Sequence, residues 1–93
     1  MDRDALVEHA KKQLDDWNAQ IDRLQARMAE QNEETRAKQE ESLREMQAHR
    51  DRAEKRIDEL TAASRAAWDD VSAALDRAWR DLSDSFETAR KRF

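Results

Sequence analysis

The chain has 93 residues, of which 43% are charged and 38% hydrophobic, with a formal net charge of −4 and no Gly, Pro or Cys. Because acidic and basic residues mix along its whole length, no basic face forms that could neutralise a run of phosphates, and we expect no nucleic-acid partner. A chain this short forms at most one small domain, and the absence of the two residue types that turn corners favours long helices over strands.

Helical periodicity begins close to the N-terminus. Apolar residues from Leu6 to Met28 recur every three or four positions, as they do on one face of a helix. Asp2 and Asp4 stand where carboxylates can cap the first helical turn. The members of this stripe that we expect to form a packing surface are Leu14, Trp17, Ile21, Leu24 and Met28.

Polar residues dominate the stretch from Glu30 to Ser42, in which Ala37 is the only apolar residue. Its Glu, Gln, Arg and Lys residues are strong helix formers, and no Gly, Pro or Asn-Gly pair marks a stop. We therefore favour one long helix over about residues 3–60, with a turn within residues 30–40 as the alternative.

The apolar stripe resumes after this polar stretch, with Arg50 at a position where an apolar side chain is expected. Small residues follow, among which Thr61 and Ser64 are suitable helix N-caps. We therefore predict a break near residues 61–65 and a shorter helix over about residues 64–92. The members of this part of the stripe that we expect in the packing surface are Ile57 and Leu60.

An eleven-residue repeat organises the C-terminal third of the chain. Its first copy consists of Trp68, Val71 and Leu75, and its second copy of Trp79, Leu82 and Phe86. Eleven residues overshoot three helical turns by about 20°, so both copies stay on nearly the same side of a helix. We expect all six residues to belong to the packing surface, and a third, partial copy to consist of Arg90 and Phe93.

These patterns predict an all-α fold in which long amphipathic helices pack as an antiparallel coiled coil or helical bundle, a single unit spanning residues 1–93. Three roughly equal helices, broken near residues 31–35 and 61–64, are the alternative topology. Full burial of a large apolar side chain is worth about 1.5–3 kcal/mol, so the stripe has to find another apolar surface. We expect it to pack both within the chain and against at least one further copy, in a homo-oligomer.

Candidate catalytic and metal-binding groups are few, and His9 and His49 are the only histidines. Glu45 lies one helical turn before His49, but carboxylate-bridged metal sites in bundles use Glu-x-x-His spacing on more than one helix. Adjacent carboxylates such as Asp69 and Asp70 point about 100° apart on a helix and form no two-carboxylate site. Without glycine, neither a nucleophile elbow nor a phosphate-binding loop can form. We expect no catalysis, no metal and no cofactor.

A lipid surface is the alternative partner, because eleven-residue amphipathic repeats with Trp and Phe suit helices at a bilayer boundary. Such helices carry Lys and Arg on the polar face, whereas this repeat carries acids, so we favour protein–protein packing. The sequence has no apolar run long enough for a membrane span, and residues 1–12 lack the apolar core of a secretory signal. We therefore expect a cytoplasmic protein.

Three stretches carry a family resemblance: QLDDWNAQIDRL at residues 13–24, AASRAAWDDVSAALDRAW at residues 62–79, and the terminal RF. With Trp17 and the Trp68/Trp79 pair as distinguishing positions, the chain resembles small bacterial coiled-coil proteins, some of which are labelled stress-response proteins. The resemblance implies a bacterial cytoplasmic protein without known catalysis, and it supplies no active-site residues. We expect a nonenzymatic, self-associating protein with a role in a stress response.

Overall fold

The computed structural model describes residues 2–92, which fold into three α-helices joined by two short connections. Helix α1 spans Arg3–Met28, α2 spans Glu33–Ala62 and α3 spans Trp68–Arg90. The start of α1 contacts the end of α2, so consecutive helices run antiparallel, and together they form a rod of 50 × 18 × 17 Å. The predicted all-α helical bundle is confirmed.

The predicted long helix over residues 3–60 is wrong, because the chain reverses direction over residues 29–32. Asn32 starts α2: its side-chain Oδ1 accepts a hydrogen bond from the backbone N–H of Thr35 at 2.9 Å. Two glutamates occupy the first turn of α2, where their charges complement the positive end of the helix dipole. The alternative of three helices describes the topology.

The second break lies at residues 63–67, close to its predicted position. Thr61 is not an N-cap, because it stays within α2 and its hydroxyl donates a hydrogen bond to the carbonyl of Ile57 at 3.0 Å. Ser64 does cap a turn: its Oγ accepts a hydrogen bond from the backbone N–H of Ala67 at 3.2 Å. The capped turn leads directly into α3.

The buried face of α3 follows a heptad pattern, with inward positions separated by three and four residues. These positions are Leu75, Ala78, Leu82, Ser85 and Ala89. Three of the five side chains are small, which lets α3 lie close against α2. The aromatic members of the eleven-residue repeat, Trp68, Trp79 and Phe86, are only partly buried and flank this face. The aromatic members of the predicted stripe therefore lie at the edge of the packed face, whereas Leu75 and Leu82 lie at its centre. Phe93 of the partial third copy lies outside the described residues.

Two predicted details of α1 and α2 also differ from the structure. The buried stripe of α1 starts at Val7, whereas Leu6, its predicted first member, is 37% exposed. Arg50 is accommodated at the predicted apolar position because its guanidinium reaches Asp51 Oδ1 at 2.9 Å and Asn18 Oδ1 at 3.4 Å. An arginine can therefore occupy this position while its stem covers apolar surface.

Two hydrogen bonds join α2 to the chain beyond α3, at the end of the rod where α2 begins. Gln39 and Ser42 of α2 are buried, although they belong to the polar stretch of the sequence. Gln39 Nε2 donates a hydrogen bond to the Arg92 carbonyl at 3.1 Å, and Arg92 Nη1 donates one to Ser42 Oγ at 2.9 Å. These two bonds fasten the chain just beyond α3 to the N-terminal half of α2.

Replacing the N-cap of α2 tests why the chain reverses at this point. We expect Asn32→Ala to lower the free energy of unfolding by about 1 kcal/mol, because the N–H of Thr35 loses its acceptor. Asn32→Asp keeps an acceptor and should retain nearly full stability. Urea denaturation of the three proteins measures the difference, and equal stability of the Ala and Asp variants would rule out the capping role.

Ser85 provides a test of the buried face of α3, because its hydroxyl is buried without a hydrogen-bond partner among the described residues. Ser85→Ala removes this unsatisfied group, and we expect it to stabilise the protein by about 1 kcal/mol. Ser83→Ala, at an exposed position of the same helix, is the matched control and should give only the helix-propensity gain of a few tenths of a kcal/mol. Thermal unfolding compares them, and equal gains would contradict the packing of Ser85.

Candidate functional site

A groove runs along the rod between α1 and α3. Both helices pack on α2, but no α-carbon of α1 comes within 8 Å of an α-carbon of α3. Directly packed helices have axes only about 8–10 Å apart, so the bundle stays open on the side between these two helices. We call this opening, with the rims that α1 and α3 provide, the α1–α3 groove.

The first half of the α1–α3 groove holds a hollow of about 360 Å³, the larger of two that lie along the groove. A further hollow of about 430 Å³, which shares Leu6 and Trp68 with it, adjoins it at the end of the rod. The apolar lining of the larger hollow consists of Leu6, Ala10, Leu60, Leu75, Trp68 and Trp79. Because Leu60 belongs to α2, the hollow reaches through to the central helix of the bundle. Pockets that bind small molecules fall in the same size range, from about 300 Å³ upward. The hollow is therefore large enough to receive several side chains of a partner.

Trp17 and Phe86 close the groove beyond this hollow. Their ring centroids are 5.5 Å apart with an interplanar angle of 71°, the edge-to-face geometry that aromatic rings favour. A smaller hollow of about 210 Å³ follows in the second half, lined by Leu24, Phe86 and the polar side chains of Gln20, Arg23 and Arg27. The α1–α3 groove is thus divided into two halves by an aromatic bridge.

Arg3 joins all three helices at the open end of the groove. Its guanidinium carbon lies 4.7 Å from the centre of the Trp68 ring, which is a cation–π contact. Its Nη2 donates hydrogen bonds to the carbonyls of Leu60, at 3.3 Å, and of Ala63. Arg3 therefore satisfies carbonyls that the end of α2 leaves free, and it fixes the tryptophan at the end of the groove.

Charge is distributed unevenly along the groove. Asp76 and His9 are the titratable side chains that line the larger hollow, whereas Arg23 and Arg27 line the smaller one. Asp76 and Arg23 are exposed, and neither forms an ion pair within the described part of the chain. Arg3, Arg65 and Asp69 line the adjoining hollow at the end of the rod.

The predicted packing residues all lie in the two core clusters or against them. Ile21, Leu24, Ile57, Leu60, Leu75 and Leu82 are buried. Leu14, Trp17, Met28, Trp68, Val71, Trp79 and Phe86 are partly buried and pack against the buried residues. Most of the predicted surface is thus used within one chain, and its partly covered aromatic members form the walls of the α1–α3 groove.

Sequence analysis missed the small and polar residues that shape the site. Ala10 leaves room for the larger hollow, and Arg3 holds Trp68, but neither belongs to the predicted packing surface. The burial of Gln39 and Ser42 could have been predicted from their positions, because with Met46 they continue the three- and four-residue spacing of the buried face of α2. Both side chains are polar, but their spacing places them on the buried face of α2.

The two histidines do not meet. His9 is exposed and lines the larger hollow, while His49 is partly buried, with a buried Nδ1 that has no hydrogen-bond partner. Among residues 2–92, no three His, Cys, Asp or Glu side chains are grouped as a metal ion would require. In the same range, no helix has an apolar stretch that could cross a bilayer.

In comparisons with protein-family models, curated proteins and solved structures, none matches this chain. The site is therefore interpreted from its own geometry.

The contribution of Arg3 can be measured directly. We expect Arg3→Gln to lower the free energy of unfolding by about 1 kcal/mol and to change the Trp fluorescence, because Trp68 loses its cation and α2 loses a hydrogen-bond donor. Arg65→Gln is the matched control: Arg65 lies at the same end of the rod but forms no hydrogen bond or ion pair in residues 2–92. Equal effects of the two substitutions on stability and emission would show that Arg3 acts only through net charge.

Proposed function

We propose that this chain is a nonenzymatic, self-associating helical protein whose α1–α3 groove binds a second copy of the same chain. The observation that carries the proposal is the apolar rim of the larger hollow, where Leu6 is exposed and Trp68 and Trp79 are half-buried above the buried Leu60 of α2. Helical bundles bury such linings against a further helix, and grooves between helices are common docking sites for amphipathic helices. A second copy offers amphipathic helices of this kind.

The rims of the groove have the composition of an interface. Leu6 is the only large hydrophobic residue of the described chain that is classed as exposed, and it lies at the edge of the larger hollow. Gln13 and Ser72 lie beside it and are uncharged, and the charged side chains of Asp76, Arg3, Arg65 and Asp69 lie around it. An apolar centre with a polar and charged rim is typical of protein–protein interfaces.

This proposal changes the surface that the sequence suggested. The apolar stripe was expected to pack both within the chain and against another copy, but the cores of the bundle use most of it. What is left for a second copy is the half-covered edge of the stripe, formed by Trp68, Trp79 and the rim residue Leu6. Association then adds to a folded bundle and is not needed to bury the whole stripe.

The cellular setting is part of the proposal. The resemblance to small bacterial coiled-coil proteins, based on Trp17 and the Trp68/Trp79 pair, supports a cytoplasmic bacterial protein with a role in a stress response. A lipid surface has less support, because exposed Asp69 and Asp76 lie on the α3 side of the groove.

Self-association can be tested by solution mass at several protein concentrations. We expect a monomer–dimer equilibrium in which Leu6→Gln raises the dissociation constant by about tenfold, since an apolar contact at the rim is lost. Ala48→Gln, on the exposed outer face of α2, is the control and should leave the constant unchanged. Far-UV circular dichroism should be the same for all three proteins.

A monomeric mass at every concentration would contradict the proposal. Trp emission in the presence of neutral and anionic vesicles distinguishes the lipid alternative: we expect no blue shift, and a saturable shift that Leu6→Gln abolishes would favour a membrane surface instead.

A further inference from the structure

We infer that self-association through the α1–α3 groove is controlled by pH, because His9 takes up a proton when a second copy covers the larger hollow. The inference rests on the proposed self-association and adds its regulation. It follows from the positions of His9 and Asp76 in the hollow, from the lack of a bonding partner for either side chain in residues 2–92, and from what covering does to a charge.

His9 and Asp76 line the same hollow from opposite rims. His9 belongs to α1 and Asp76 to α3, two helices whose backbones are not in direct contact. Both residues are exposed, and neither side chain forms a hydrogen bond or an ion pair within residues 2–92. Water in the open hollow screens the two groups from each other, and their interaction strengthens once a partner displaces that water.

No charged residue of α1 or α2 within the described chain shares the larger hollow with His9. On α1, Glu8 pairs with Lys11 at 3.7 Å, and exposed Lys12 does not line the hollow. The lining residue from α2 is Leu60, which carries no charge. The counter-charge for a protonated His9 therefore has to come from α3.

The charges of the adjoining hollow largely offset one another. Arg65 and Asp69 line it together and carry opposite charges. Arg3 opposes proton uptake by its positive charge, but its guanidinium is held by carbonyls at the end of α2 and by the ring of Trp68. It also lies six residues before His9 on α1, about 9 Å at the helical rise of 1.5 Å per residue.

On α3 itself, Asp76 is the charged residue that lines the larger hollow. Arg80 follows it by one helical turn, but Arg80 is exposed, does not line the hollow and forms no ion pair with Asp76. Asp76 is thus the nearest fixed charge across the hollow from His9, and it favours a proton on the imidazole.

Covering the hollow makes the charge of Asp76 costly. A carboxylate loses hydration when a partner lies over it, and an opposite charge in the same water-free space offsets part of that loss. A neutral His9 supplies no such charge, whereas a protonated His9 does. Each covered hollow therefore takes up a proton, and the proton stabilises the bound state.

The direction of the pH effect follows from this uptake. Because the covered hollow holds more protons than the open one, association is tightest at low pH and weakens as pH rises through the range in which histidines lose their proton. Carboxylates stay ionised above about pH 5.5, so Asp76 keeps its charge throughout this range. The useful window lies between about pH 6 and about pH 8.

Sedimentation of the natural chain at several concentrations measures the effect. We expect the dissociation constant to be at least about fivefold lower at about pH 6 than at about pH 8, in about 0.15 M NaCl. Far-UV circular dichroism at both pH values should be the same, which shows that the bundle itself is intact. A dissociation constant that does not change between the two pH values would overturn the inference.

Two substitutions identify the groups. Asp76→Asn removes the carboxylate, so we expect tighter association than the natural chain at about pH 8 and little dependence on pH. His9→Gln cannot take up the proton, so its dissociation constant should stay near the high-pH value of the natural chain at both pH values. Weaker association of Asp76→Asn at about pH 8 would contradict the assigned role of the carboxylate.

The second histidine of the chain is the matched control. His49 lies on α2 and does not line the hollow, so His49→Gln should keep the full pH dependence of association. The two histidine variants change the net charge equally. If lower net charge alone promoted association at acid pH, His9→Gln and His49→Gln would lose the same share of the pH dependence.

Nuclear magnetic resonance of the natural chain gives a second measurement that needs no variant. The ring-proton titrations of His9 and His49 can be followed below and above the dissociation constant. We expect the midpoint for His9 to move to higher pH as the dimer forms, while that of His49 stays in place. Equal midpoints for His9 in monomer and dimer would overturn the inference.

The outcomes separate the two proposals. If the natural chain does not dimerise at either pH, the proposed function fails and its regulation fails with it. If it dimerises and Leu6→Gln weakens the dimer, but His9→Gln shows the same pH dependence as the natural chain, self-association stands and the assignment of the switch to His9 is wrong.

Discussion

Close contact between α3 and α2 is the constraint on which the rest of the structure depends. Ala78, Ser85 and Ala89 lie on the buried face of α3, and their small side chains allow the two helices to approach. Leu75 and Leu82 lie on the same face, and the bulkier aromatic side chains lie outside it. Trp68 and Trp79 stand at its edge, on the side towards α1, and their bulk fills part of the space between α1 and α3. The groove therefore results from the arrangement of side chains on α3, which has its small residues towards α2 and its aromatic residues towards α1.

This arrangement also explains the eleven-residue repeat. Residues eleven apart return to nearly the same side of a helix, so a row of such positions can follow the edge of a packed face, while a heptad row follows its centre. In α3 the heptad row consists of two leucines and three small residues, while the aromatic members of the eleven-residue repeat lie beside it. Aromatic residues at this edge extend towards α1, as Phe86 does to Trp17. Their side chains fill part of the space between α1 and α3, whose backbones are not in direct contact.

The sequence predicted the class of fold and the inward direction of most large apolar residues, because three- and four-residue spacing depends only on helix geometry. It failed on the first break, where the absence of Gly and Pro outweighed Asn32, a single N-cap residue that is sufficient to start α2. It could not locate the groove, since that depends on how far apart α1 and α3 lie. Ala10 lies in the apolar stripe of α1 but was not predicted as part of the packing surface, and Ser85 was not predicted at all, although their small side chains shape the hollow and the contact with α2.

The open groove has an energetic consequence for a chain of this size. A domain of fewer than one hundred residues buries a modest share of its surface, and each Å² of apolar surface left in water forgoes about 25 cal/mol. Larger side chains at Ala10 and Ser72 would fill the larger hollow within one chain and recover that free energy. The chain instead has a small side chain at each of these positions, and charged residues such as Asp76 and Arg23 line the groove beside them. The groove therefore combines a half-buried apolar surface with a charged rim, which leaves the bundle with less buried apolar surface than three fully packed helices would have.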